Sequence, residues 1–117
     1  MSGRILSLSK KKDFDLVFKT GRSFFDKFIG LKIISNGLGQ HRLGIIISSK
    51  VSKKAVSRNL LKRRLKEIIR GELAEISGGY DLVFIALPGA CEKNFAELKA
   101  TAERLIIKLK IKSAARQ

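Results

Sequence analysis

The chain has 117 residues, 44% of them apolar, and a formal charge of +15; the length fits one domain, and the apolar share excludes an intrinsically disordered chain. No apolar run approaches the ~18 residues of a membrane span, and the single Cys91 excludes an internal disulfide and fits a reducing cytoplasm. The charge exceeds the magnitude of roughly 2–8 usual for a small soluble domain, which implies an anionic partner: nucleic acid, a membrane surface or an acidic protein.

The first twelve residues, MSGRILSLSKKK, are basic and carry no acid. Their charges follow a very short apolar stretch, the reverse of a signal peptide, so a flexible basic arm is expected over 1–12. Asp13 can cap a short helix in which Phe14, Val17 and Phe18 share one face by their i, i+3, i+4 spacing. Gly21 suits the helix stop. Residues 22–35 are rich in Phe and Ile and predict one or two strands, with a break near Asp26-Lys27. A turn-rich loop over 36–41 follows, then a strand over 43–48 whose three successive isoleucines indicate burial on both faces. A helix is expected over 55–73, a strand over 80–86 stopped by Pro88-Gly89, and an amphipathic closing helix carrying Phe95, Leu98, Ala102, Leu105, Ile106 and Leu109. The order α-β-β-α-β-α, with one further short strand early, gives an α+β class: a single small domain with a small mixed sheet and helices packed on it.

Between Lys50 and Arg70 stand nine basic residues against one acid, Glu67. The same segment carries apolar residues at helical spacing. At roughly 100° per residue, Leu61, Leu65, Ile68 and Ile69 form one arc that belongs to the core. Asn59, Lys62, Arg63, Lys66 and Arg70 form a neighbouring arc toward solvent, with Arg58 at the border. Leu60 lies between Arg63 and Arg64, away from the apolar arc, and reads alone as an exposed leucine. A rigid row of cations repels itself unless a polyanion neutralises it. Membrane binding fits less well, because the core claims the apolar arc and no Trp or Phe stands on this helix. No helix-turn-helix spacing precedes it for DNA reading.

The side chains carry little catalytic potential. His41 and Cys91 alone cannot build a metal site, the single His has no paired acid nearby, and the ten carboxylates are scattered rather than clustered as a two-metal nuclease needs. His41, a lone loop histidine, reads as a surface residue. Phe14 and Phe18 allow two readings: core packing against the sheet, or a stacking platform for unpaired bases.

Together these pieces resemble the protein subunit of bacterial ribonuclease P. The residues that carry the resemblance are Lys12-Asp13-Phe14 with Val17-Phe18 and Gly21, Arg42-Leu43-Gly44, the basic segment around Arg58-Asn59, Tyr80-Asp81-Leu82-Val83 to Ala86, and Pro88-Gly89-Ala90. The resemblance implies an accessory role in an RNA enzyme: an RNA subunit carries the catalytic site and binds Mg²⁺, and the protein holds the 5′ leader of precursor tRNA while it is removed. No catalytic residue and no metal ligand are implied for the protein, and no membrane or small-molecule partner. A monomer, one per RNA, in the cytoplasm is the corresponding expectation. By the same resemblance, Lys53, Lys54, Arg58, Asn59, Lys62, Arg63, Arg64 and Lys66 face the catalytic RNA. Phe14, Phe18, Leu31 and Lys50 line the leader cleft. The family fold also implies a left-handed β-α-β crossover, against the right-handed rule that holds in about 98% of cases. The chain departs from the family pattern at Leu60, where the motif continues with Arg, and at Ser49, Leu87 and Leu31.

Overall fold

The computed structural model describes residues 5–115. Five strands, β1 (Leu6–Ser7), β2 (Arg22–Asp26), β3 (Ile29–Ser35), β4 (Arg42–Ile47) and β5 (Tyr80–Ala86), form one mixed sheet in the order β1-β4-β5-β3-β2. Three helices complete the domain: α1 (Lys11–Thr20), α2 (Ala55–Leu73) and α3 (Phe95–Ala115), with a short 3-10 turn at Ala90–Glu92. The class is α+β.

The sheet is built outward from β5, parallel to β4 on one side and antiparallel to β3 on the other. That central position accounts for YDLVFIA, where Leu82, Val83 and Phe84 are all fully buried, because a strand covered on both faces loses the alternation of a half-exposed one. The break anticipated near Asp26-Lys27 is the β2–β3 hairpin turn, where Lys27 takes a left-handed φ of 51°. Helix α2 crosses from β4 to its parallel neighbour β5.

Registration divides the sheet into two unlike faces. Phe24, Leu31, Phe84 and Ile45 lie side by side across four strands. They belong to the main core together with Leu61, Leu65, Ile68, Ile69 and Leu73 of α2 and Leu98, Ala102, Leu105, Ile106 and Leu109 of α3. The opposite face presents Ser23, Lys32, Val83 and Gly44 in one row and Phe25, Gly30, Ile85 and Ile46 in the next. Among the described residues only α1, ten residues long, packs there, around Val17, Val83 and Leu8. One short helix cannot roof a five-stranded sheet, so part of this face stays open.

The amino-terminal expectation needs correction. Leu6–Ser7 pairs in parallel with β4, Leu8 is buried, and α1 already begins at Lys11. Burial of Leu8 and the backbone bonds Leu6 N–H to His41 O and Leu8 N–H to Leu43 O tie this stretch down. A flexible arm therefore does not describe residues 5–12, and residues 1–4 lie outside the described part. Asp13 is not the cap either, since Lys10 holds that position. Its carboxylate instead meets Arg42 at 3.3 Å, and Arg42 also makes a two-pronged pair with the buried Asp81 at 2.7 and 2.6 Å.

Candidate nucleic-acid interface

Helix α2 sorts its side chains as its periodicity predicts. Leu61, Leu65, Ile68 and Ile69 are buried, and Leu73 extends the same arc. Asn59, Lys62, Arg63 and Arg70 are exposed, while Arg64 and Lys66 are half-buried. Lys53 and Lys54 are exposed at the start of the helix. The first turn holds no acid and Lys54 makes no side-chain cap. These lysines therefore add to the positive end of the helix dipole, where an anion is the stabilising neighbour. Arg58 sits at the border, as its wheel position requires, and one guanidinium nitrogen donates to the Ser52 carbonyl at 2.7 Å. It fastens the loop after β4 to the helix, so its role is not confined to a free cation.

On the open face, aromatic rings lie directly on the sheet because two glycines let them. A Cβ at Gly44 would stand 2.6 Å from the Phe14 ring, and one at Gly30 would stand 2.9 Å from the Phe25 ring. Phe18, 40% exposed, projects from α1 with the Lys32 ammonium 5.7 Å from its ring centroid. Lys32 is held there by donating to the Ser23 hydroxyl at 2.7 Å. Phe25 is 54% exposed, and half-buried Ile46 and Ile85 continue the floor. Exposed Lys50 stands in the loop leaving β4, three residues beyond the end of the strand at Ile47. The result is a trough with π-faces, an apolar floor and the Lys32 cation at its rim, a surface suited to unpaired bases and a phosphate backbone.

Leu31 does not belong to this trough. It is fully buried on the α2–α3 side, because strand alternation sends Leu31 and Lys32 to opposite faces. Lys32 and Phe25 are the trough residues that the sequence pattern left unassigned. Gly30 inside an apolar strand, marking close approach of a ring, is the signal for Phe25, and the charge of Lys32 inside the same strand, which must find water or a partner, is the signal for Lys32.

The two surfaces meet along the β4 edge. Strand β1 ends at Ser7, opposite Leu43, and beyond it a shallow notch is lined by Phe14, Gly44, Lys62 and Lys66 among others. Thus the cationic strip of α2 runs to the aromatic side of the sheet. Among the described residues no group of three or more His, Cys, Asp or Glu could hold a metal ion. His41 also departs from its surface reading. It is buried and stacked on Tyr80 at 5.6 Å, its Nε2 donates to the Ile76 carbonyl at 2.7 Å, and its Nδ1 accepts from the Tyr80 N–H at 3.2 Å. Both ring nitrogens are committed to the fold.

Residues 3–110 match the family model described as Ribonuclease P. The chain is 37% identical over 112 residues to the ribonuclease P protein component of Microcystis aeruginosa, covering 92% of this chain and 93% of that protein. It is 36% identical to the corresponding protein of Clostridioides difficile, covering 88% and 90%. Among solved structures, the ribonuclease P protein of Staphylococcus aureus superposes with a TM-score of 0.80 at 25% identity, over 92% of this chain and 96% of that one. The protein from Thermotoga maritima gives 0.77 at 32% identity, over 86% and 94%.

Proposed function

The chain belongs to the ribonuclease P protein family, the protein subunit of a tRNA-processing endoribonuclease whose partner is ribonuclease P RNA, and from that premise we propose how its surfaces divide the work. The strip of Lys53, Lys54, Arg58, Asn59, Lys62, Arg63, Arg64 and Lys66 docks on the RNA subunit. The trough of Phe14, Phe18, Phe25 and Lys32, with Lys50 from the loop after β4, holds the single-stranded 5′ leader of precursor tRNA. The observation that carries this division is the pair of unlike sheet faces: α2 and its cations back one, and aromatic rings lie open on the other.

Bond cleavage falls to the RNA. The Mg²⁺ implied for this enzyme is assigned, in this reading, mainly to RNA phosphates. The protein's contribution is affinity and positioning. Stacked bases fix the leader, and neutralised phosphates lower the repulsion between two polyanions brought together. No helix among the described residues is long and apolar enough to cross a membrane, and we assign a monomer, one per RNA, working in the cytoplasm.

The test is Phe18→Ala in the reconstituted protein–RNA complex. Loss of one stacked base, about 1–3 kcal/mol, weakens binding of leader-bearing precursor by roughly tenfold and leaves mature tRNA binding unchanged. Equal affinity of variant and wild type for the precursor would refute the leader assignment.

A further inference from the structure

We propose that the shallow pocket between α2 and the Ala90–Glu92 turn is a further seat for the RNA subunit, taking one nucleotide with its phosphate between Arg64 and Lys93. The proposal rests on the RNA-binding reading of α2 and extends it to a second flank of that helix. Ser57, Leu60, Leu61, Arg64, Cys91 and Lys93 line the pocket. Taken alone, Leu60 is an exposed leucine among cations. In the fold it is 37% exposed and shares the pocket with half-buried Cys91, giving an apolar floor.

The rim is charged and pre-placed. Arg64 stands one helical turn beyond Leu60, hence on the same flank. The Lys93 ammonium lies 5.5 Å from the centroid of the Phe28 ring, and Phe28 belongs to the main core, so this cation is held by a rigid partner. Backbone bonds from Lys93 N–H to Ala90 O and Glu92 N–H to Gly89 O fix the turn that carries it. Asp13, Asp26 and Asp81 pair with cations elsewhere in the fold, Arg42, Arg104 and Lys108. Glu92, the acid of the turn, is exposed and makes no ion pair with Arg64 or Lys93 among the described residues. Two cations and the Ser57 hydroxyl thus surround an apolar floor beside the exposed Arg63–Asn59 strip. A phosphodiester fits the cations, and a ribose or base edge fits the floor. The leader trough opens on the opposite face of the sheet, which assigns the occupant to the structured RNA subunit.

The experiment is salt-dependent binding of ribonuclease P RNA by the full chain, with a short single-stranded leader oligonucleotide as the second probe. Arg64→Gln/Lys93→Gln is expected to bind the RNA about tenfold more weakly, with a log–log salt slope lower by roughly one to two, while leader affinity holds. Leu60→Glu, which alters the floor without touching the core, gives the same selective loss if the double variant folds poorly. Wild-type RNA affinity and slope in these variants, with a clear loss in Arg63→Gln, would overturn the pocket and leave the α2 interface standing. No loss in Arg63→Gln either would overturn the interface on which the pocket depends.

Discussion

At Gly44 the absence of a side chain decides how an aromatic residue is used. The Phe14 ring occupies the space a Cβ would need, at 2.6 Å, so Gly44→Val must lift the ring off the sheet. The expected outcome is selectively weaker binding of a single-stranded leader, read by fluorescence titration, with affinity for the RNA subunit retained. His41 marks the opposite case, a residue whose chemistry is spent on the fold. Its replacement by alanine strands the Ile76 carbonyl and the Tyr80 N–H, at about 1–3 kcal/mol for each orphaned group. Urea unfolding should show that loss without a change in the salt slope of RNA binding. The role of His41 could not be read from local sequence. A lone loop histidine gives no hint of partners 35 and 39 positions away; Leu31, which the family resemblance puts in the cleft, joins the main core instead, and an apolar residue in a mostly apolar strand carries no sign of which face it takes. Lys32 beside it carries that sign, since a charged residue inside a strand must find water or a partner.

Element by element, legibility followed the strength of the periodic signal. Helix α2 was fully readable, because nineteen residues give each wheel position several turns to declare itself. Strand β5 was readable from its unbroken apolar run. Strand β1 was not, because two residues carry no period, and their strand character comes from pairing with β4. The link between β2 and α3 was hidden for a similar reason, since its partners lie far apart in sequence. Arg104 grips Asp26 at 2.9 and 3.0 Å, with Lys108 at 3.6 Å. The hydrogen bond from Arg104 holds the Asp26 carboxyl below its ordinary value of 3.8, against burial, which acts to raise it. A depressed folded value means that the pair stabilises the fold above the ordinary aspartate range and is lost as pH falls through the depressed one. Wild type should therefore lose stability faster than Asp26→Asn between neutral pH and pH values below 3.8, with the two acid-unfolding curves converging at the acid end. Parallel curves across that range would remove the pair from the stability of this corner.

For the whole molecule, the sheet is a partition. One face is closed by two long helices, and the longer-range charge of α2 stands outside it; the other is roofed only in part, by a helix too short to cover it. Charge density and the motif residues made the RNA partner readable from the sequence, and the comparisons place the chain in the ribonuclease P protein family. The trough was only half readable, because Phe14 and Phe18 announce themselves by helical spacing whereas Phe25, Gly30 and Lys32 join them only through strand register. The central claim is that this protein binds and positions while the RNA cuts. Its most direct test is single-turnover cleavage of precursor tRNA by ribonuclease P RNA at low Mg²⁺, with and without the protein, alongside the protein alone. The account predicts strong stimulation that depends on the leader, and no cleavage by the protein by itself. Cleavage by the isolated protein, or an RNA reaction indifferent to its addition, would contradict it.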